Sequence, residues 1–288
     1  MSGLILPPTP RASKSLLFAN KQKDSLLINT KEPRIIFVGG SNLSFGLNSY
    51  EIKDSLNLNP VNTAIHASIG LKYMLENTLQ YLKNGDIIIL APEYSHFFRS
   101  YEYTSDELLR ITFDVNPEKR KFLSLKQEID LLSNIPKFSI TKYKPTEYWG
   151  FHESDVYSVN SFNKYGDADA HWNLKTRGYT PSSLKGQFNV NVFEKIKEFE
   201  ESAEQKGAIV YVTFPSLDEV SFANSKENIL QVENTLHKFN FNILGNARRY
   251  IMPKEMMFNS AYHLTKVGVD RRTKLFIEDF KQATKTRE

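Results

Sequence analysis

Short runs of apolar residues alternate along the chain with longer segments in which apolar residues recur at helical spacing. The apolar runs predict five strands, at residues 34–38, 61–65, 85–93, 208–215 and 241–244. The amphipathic segments predict helices at 49–56, 71–82, 190–204 and 226–239 and from about 265 onward. Continuous apolar runs are typical of strands buried on both faces of a parallel sheet. We therefore predict an α/β fold with three α/β/α layers and a mostly parallel five-stranded sheet.

The alternation of strands and helices is broken in two places. Residues 94–185, between the third and fourth predicted strands, are rich in Tyr, Phe, Trp, Asn and Lys and show no clear βα pattern. Residues 1–33 show little periodicity before the first strand. The predicted organisation is an N-terminal arm over 1–33, followed by a single domain over 34–288 with an inserted cap at about 94–185.

Candidate functional residues follow the ends of the predicted strands, which share one edge of a parallel sheet. They are Ser41 and Asn42 after the first strand, Asn62 and the helix-opening Gly70 around the second, Glu93 after the third, and His263 before the last helix. Ser41 alone has three interpretations, as a nucleophile, a phosphate-binding hydroxyl or a turn residue. A phosphate loop is disfavoured because no Gly-Lys-Ser/Thr closes the motif.

The ordered set of these blocks resembles the SGNH (GDSL-type) hydrolase superfamily, and more narrowly its cell-envelope branch of DltD-like proteins and polysaccharide O-acetyltransferase domains. The resemblance covers residues 34–98 and 207–283. It implies that Ser41 is the nucleophile, that His263 is its general base, and that the N–H groups of Ser41 and Gly70 form the oxyanion hole. Asn62 and Asn42 would support that hole.

The chain departs from the family pattern at two positions. The family places an Asp shortly before the catalytic His, but the segment here is Phe258-Asn259-Ser260-Ala261-Tyr262-His263, so Asn259 or Ser260 stands in its place. Glu93 stands where the family usually has an Asn. Without an acid behind it, His263 is a weaker base with a less fixed tautomer. Glu93 is a possible substitute acid.

The resemblance implies a serine esterase or acyltransferase that acts on an acyl ester of a cell-envelope polymer or glycan through a Ser-His acyl-enzyme, without a cofactor. The alternative is a catalytically impaired SGNH-fold protein that serves in binding or assembly in the envelope. A third possibility is a flavodoxin-like ligand-binding domain. The location would be periplasmic or otherwise extracytoplasmic. Leu4-Ile5-Leu6 followed by prolines suggests the remainder of a removed membrane anchor, or else a frayed terminus.

Composition excludes several other classes. The 37 basic and 33 acidic residues are interleaved at a net charge of +4, so no basic stripe indicates nucleic-acid binding. The absence of cysteine excludes disulfides and thiolate chemistry. The six histidines lack metal-ligand spacing, so no metal is expected. The insertion has two features with alternative interpretations. Residues 160–173 are either a substrate-binding loop or a hydrogen-bonded loop that fixes the insertion to the domain. The aromatic residues at 143–157 form either the core of the cap or a platform for a glycan.

Overall fold

A computed structural model describes residues 2–285 as an α/β fold built on a five-stranded parallel sheet. The strands are β1 (Arg34–Gly39), β2 (Asn59–Asn62), β3 (Ile87–Ala91), β4 (Ile209–Thr213), β5 (Leu217–Asp218), β6 (Ile243–Leu244) and β7 (Ile251–Met252). The order in the main sheet is β2-β1-β3-β4-β6, and β5 pairs with β7 in a separate parallel ladder. The predicted α/β/α fold with a five-stranded parallel sheet is confirmed.

The helices flank this sheet. They are α1 (Pro10–Ser13), α2 (Asn20–Asn29), α3 (Ser41–Ser44), α4 (Ser49–Leu56), α5 (Leu71–Leu79), α6 (Asp106–Arg110), α7 (Leu125–Leu132), α8 (Ile135–Thr141), α9 (Asn191–Gln205), α10 (Glu219–Asn224), α11 (Lys226–Lys238) and α12 (Lys266–Lys285). The five predicted helices correspond to α4, α5, α9, α11 and α12. Among the residues described, no helix combines the length and the apolar character needed to cross a membrane.

Alternate residues of the strands pack into two different hydrophobic cores. Ile36 and Val38 of β1 face a large core that also contains apolar residues of α5, α9 and α11. Ile35 and Phe37 face a smaller core with residues of α4 and α12. Both faces of the sheet are therefore buried, which explains why the strands appear in the sequence as uninterrupted apolar runs.

The N-terminal segment, predicted as an arm over 1–33, contains helix α2, which packs against the rest of the domain. Helix α2 buries Asn20, Lys23 and Asp24 together with Leu27. The inner face is polar because its side chains bond to the domain: Asp24 Oδ1 accepts from Asn77 Nδ2 at 2.8 Å. A helix with a polar buried face has no amphipathic pattern, so hydrophobic periodicity could not reveal it.

Lys23 fastens this segment to the sheet and to the insertion. Its Nζ donates to the carbonyl oxygens of Asn62, at 3.0 Å, and of Gly166, and lies 4.2 Å from the centre of the Phe162 ring. Burial lowers the pKa of Lys23 to about 7, and the nearby Asp167 carboxylate opposes that shift. One side chain thus joins three segments that lie far apart in the sequence.

The insertion at 94–185 joins the main fold. Phe97, Leu108 and Ile111 lie in the same core as the inner face of α5. Other residues of the insertion lie in two smaller clusters, one with Leu131 and Phe138 of α7 and α8 and one with Val156 and Ala168. The insertion therefore shares the domain core and is not a detached cap.

Candidate functional site

The register of the two central strands brings Ser41 and Glu93 together. Gly39 at the end of β1 pairs with Ala91 at the end of β3, in parallel. Ser41 and Glu93 each follow two residues later, so they leave the same edge of the sheet side by side. Ser41 Oγ donates to Glu93 Oε1 at 3.1 Å. The sequence predicts both residues at this edge but does not predict their contact.

Glu93 is a buried carboxylate that receives a second donor. Its Oε1 also accepts the backbone N–H of Asn42 at 3.2 Å. Burial raises the pKa of Glu93, while the hydrogen bonds from Asn42 and Ser41 and the nearby His66 and Arg99 oppose that rise. Removing a carboxyl group from water favours its neutral form, and donors and positive charges favour the ionised one. Glu93 is thus a carboxyl whose basicity exceeds that of an exposed glutamate.

The absence of a side chain at Gly40 makes room for the Glu93 carboxyl group. A Cβ atom at position 40 would lie 2.6 Å from Glu93 Oε1 and 2.9 Å from the Cβ of Ala67. The backbone of Gly40 is extended, with φ −89° and ψ −158°, so the steric demand and not the dihedral angles requires glycine here. The second glycine of the Gly39-Gly40 pair is therefore explained by the Ser41–Glu93 contact.

Substitution of Gly40 by alanine is expected to destabilise the protein by about 1–3 kcal/mol, since the new methyl group overpacks a site with no free volume. Urea unfolding of Gly40→Ala and of wild type measures the difference. Gly178→Ala is the matched control, because a Cβ atom there meets nothing within 4 Å. Equal stability of Gly40→Ala and Gly178→Ala would contradict the packing argument.

His263 sits in a tight turn with Asn259 behind its ring. Phe258 N–H donates to the His263 carbonyl oxygen at 2.8 Å and closes the turn, and His263 N–H donates to Ser260 Oγ at 3.1 Å. His263 Nδ1 lies 2.8 Å from Asn259 Oδ1, and Asn259 Nδ2 donates to Tyr157 Oη at 2.7 Å. With the amide in this orientation, Nδ1 carries the proton and Nε2 is the basic nitrogen.

Asn259 therefore occupies the position that the resemblance reserves for an acid, and Glu93 does not. An amide oxygen can fix the tautomer of the ring, but it cannot stabilise the positive charge of an imidazolium. The His263 ring is buried and stacks on Phe45, with 4.2 Å between ring centres. Burial, assisted by the nearby His171 and His66, lowers the pKa of His263 to about 3. His263 is consequently neutral near pH 7 and a weak base.

Short contacts link His263 to the segment that carries Ser41. Phe45, whose ring stacks on His263, donates its N–H to the Ser41 carbonyl oxygen at 2.8 Å. The N–H of Leu264 donates to the Phe45 carbonyl oxygen at 3.3 Å. His66 is close enough to influence the pKa of both Glu93 and His263. Ring and backbone contacts thus hold His263 against the turn that follows Ser41.

Gly70, Asn62 and Asn42, which were predicted to form or support an oxyanion hole, are engaged in other hydrogen bonds. Gly70 has φ +94°, a conformation that favours glycine, and its N–H donates to the Ala67 carbonyl oxygen at 3.1 Å. Asn62 Nδ2 donates to Leu43 O at 3.0 Å and to Asp167 Oδ1 at 2.9 Å. Asn62 therefore supports the turn after Ser41 and has no amide hydrogen left for a substrate.

Asn42 is likewise held by the neighbouring strand. Its Nδ2 donates to the Ala91 carbonyl oxygen at 3.0 Å, and its backbone N–H binds Glu93. Its Oδ1 is buried without a hydrogen-bond partner. Asn42 thus anchors the Ser41 turn to the end of β3, which is a supporting role.

The insertion contributes to the site in ways that the sequence pattern did not resolve. Tyr157, one of the aromatic residues at 143–157, bonds to Asn259 behind His263, whereas Trp149 and Tyr143 are exposed and form no cap core. Asp167 is buried and accepts both the N–H and the hydroxyl proton of Ser49, each at 2.8 Å. The 160–173 segment therefore pins the insertion to the domain.

Within residues 2–285, no group of three or more acidic or histidine side chains is placed to hold a metal ion.

Comparison with known proteins gives no further assignment: no family model, curated protein or solved structure matches this chain. The SGNH resemblance therefore stays a prediction that depends on its motif residues, and the geometry at the sheet edge is the evidence for function.

Proposed function

We propose that this chain is a serine-dependent ester hydrolase or acyltransferase with Ser41 as the nucleophile. The observation that carries the proposal is the hydrogen bond from Ser41 Oγ to the buried Glu93 carboxylate, with His263 held against the same segment. A serine hydroxyl is a weak nucleophile unless a neighbouring group accepts its proton. In this site a carboxylate is in contact with the hydroxyl, and a histidine of defined tautomer lies nearby.

The substrate we propose is an acyl ester of a cell-envelope polymer or glycan, and the location is extracytoplasmic. Both follow from the resemblance of the Ser41, Gly70 and His263 blocks to the envelope branch of the SGNH superfamily. Exposed aromatic side chains on the insertion, Tyr143 and Trp149, are of the type that packs against sugar rings. They support a glycan substrate over a small free ester.

The test is labelling of the purified chain with a fluorophosphonate, which reacts covalently with activated serines. We expect labelling of wild type and its complete loss in Ser41→Ala, with parallel loss of short-chain aryl-ester hydrolysis. Ser68→Ala is the matched control, because Ser68 is partly buried in the turn before Gly70 and its removal is expected to leave labelling unchanged. Labelling that persists in Ser41→Ala would place the reactive serine elsewhere.

A second candidate function, an SGNH-fold protein for binding or assembly, is favoured by one observation. The exposed fraction is only 9% for Ser41 and 8% for His263, and no carboxylate lies behind the histidine. A closed site with a weak histidine is typical of a fold that has lost its chemistry. Absence of labelling between pH 5 and 9, in a folded protein, would decide for this candidate.

A further inference from the structure

We propose that Glu93, and not His263, takes the proton from Ser41 when the serine attacks an acyl ester. This inference rests on the proposed role of Ser41 as nucleophile and assigns its catalytic base. A general base has to lie within hydrogen-bond reach of the proton that it removes. Glu93 Oε1 meets that requirement at 3.1 Å from Ser41 Oγ.

The hydrogen bonds at Glu93 point to a base and not to a donor. Two donors from consecutive residues, the Ser41 hydroxyl and the Asn42 backbone N–H, converge on the same oxygen, Oε1. Oε1 therefore acts as an acceptor toward the Ser41 hydroxyl, which is the orientation that a base needs before it removes the proton. Gly40 is the residue that lets this oxygen approach, since a side chain there would collide with it.

The surroundings of Glu93 make it more basic than an exposed glutamate. Burial favours the neutral carboxyl, and His66, Arg99 and the Asn42 N–H favour the carboxylate. The phenol of Tyr262 also lies close enough to interact with Glu93. Burial outweighs the opposing influences, so Glu93 has a raised pKa and binds a proton more readily than an exposed glutamate does.

His263 is less suited to the same step. Its Nδ1 faces an amide oxygen, and no anion in contact with the ring stabilises the imidazolium that proton transfer would create. Tyr157 Oη, the other polar group near Nδ1 at 3.4 Å, is a neutral phenol near pH 7. Proton transfer is favoured toward the stronger of two available bases, and the buried carboxylate is the stronger one here.

The step balances without a cofactor. Ser41 Oγ forms a bond to the ester carbonyl carbon as its proton moves to Glu93 Oε1. The bond from that carbon to the leaving alcohol oxygen then breaks, and the proton passes from Glu93 to that oxygen. Water or an acceptor alcohol next attacks the acyl-serine, gives its proton to Glu93, and releases Ser41, which recovers the proton.

The test compares fluorophosphonate labelling rates of Ser41 between pH 4 and 8 in wild type, Glu93→Gln, Glu93→Asp and His263→Asn. We expect Glu93→Gln to slow labelling at least 100-fold, the scale of a lost general base, and His263→Asn to slow it less than tenfold. Glu93→Asp should recover part of the rate, because a carboxylate is retained. Glu201→Gln, an exposed glutamate on α9, is the control for loss of a carboxylate.

The pH profile separates a base from a structural support, and the comparison of wild type with His263→Asn can be made even if Glu93→Gln does not fold. In wild type and in His263→Asn the labelling rate should rise through one ionisation above pH 4.5, that of Glu93. Glu93→Gln should lack this rise. If Ser41 reacts but Glu93→Gln reacts as fast as wild type, or if His263→Asn abolishes the rise, the inference is overturned. If wild-type Ser41 does not react at all, the proposed function itself fails.

Discussion

Lowering the pH from 7.5 to 5 is expected to reduce the free energy of unfolding by about 6 kcal/mol, through three buried histidines. Burial lowers the pKa of His96 and of His263 to about 3 and that of His171 to about 4. Near pH 5 the unfolded chain binds a proton at each of these side chains and the folded chain does not. Each histidine then contributes about 2 kcal/mol to the loss, at 1.36 kcal/mol per pH unit below 6.5.

The direction of this effect follows from the pKa shifts. Each histidine has a folded-state pKa below its unfolded value of 6.5, so stability is complete above pH 6.5 and falls as the pH approaches 4 to 3. Buried carboxyl groups act in the opposite sense. Burial raises the pKa of Glu93 and Asp167, so these groups protonate more readily in the folded chain and offset part of the loss as the pH falls.

Urea unfolding at a series of pH values from 5 to 7.5 measures the effect. His263→Asn should reduce the pH dependence by about a third, because one of three titrating rings is removed. His237→Gln, at an exposed position on α11, should leave the pH dependence as in wild type. Equal stability at pH 5 and 7.5 would show that these rings are not buried in the neutral form.

Asn259→Asp is expected to convert His263 into an effective base. A carboxylate at 2.8 Å from Nδ1, where the amide oxygen now lies, stabilises the imidazolium and raises the pKa of His263. In serine proteases the reverse change, from Asp to Asn, lowers turnover about 10⁴-fold, which is the upper bound for the gain here. We expect at least a tenfold faster labelling of Ser41 in Glu93→Gln/Asn259→Asp than in Glu93→Gln alone.

The double variant is the informative background because Glu93 no longer competes for the serine proton. The pKa of His263 is measured in Asn259→Asp by NMR titration of the ring, and should rise from about 3. Asn234→Asp, at an exposed position on α11, is the matched control, because it adds the same charge on a helix that carries none of the site residues. A raised pKa without faster labelling would mean that His263 does not reach Ser41.

The sheet could be predicted from sequence because burial on both faces leaves continuous apolar runs. The positions of Ser41 and Glu93 followed from the same argument, since residues after parallel strands share one edge. Their direct contact could not be predicted. It depends on the pairing of Gly39 with Ala91 and on the absence of a side chain at Gly40. The register of a strand that is buried on both faces cannot be derived from its continuous apolar sequence.

The rest of the site depends on contacts that leave no periodic signal. Tyr157 lies over a hundred residues from Asn259 in the sequence, and nothing near it indicates that its hydroxyl supports an asparagine. Helix α2 was missed because its buried residues, Lys23 and Asp24 among them, are polar and satisfied by partners elsewhere. Hydrophobic patterning identifies surfaces that pack through apolar side chains. Helix α2 and the Tyr157–Asn259 contact are held by hydrogen bonds instead, so that pattern does not reveal them.

The contacts of Lys23 also constrain the order in which the protein is assembled during synthesis. Its ammonium group binds the carbonyl oxygens of Asn62 and Gly166, so its final environment does not exist until more than half the chain has left the ribosome. Contacts of such long sequence separation form late and slow folding. Until Gly166 has been synthesised, the ammonium group of Lys23 stays hydrated, and helix α2 cannot reach its final packing.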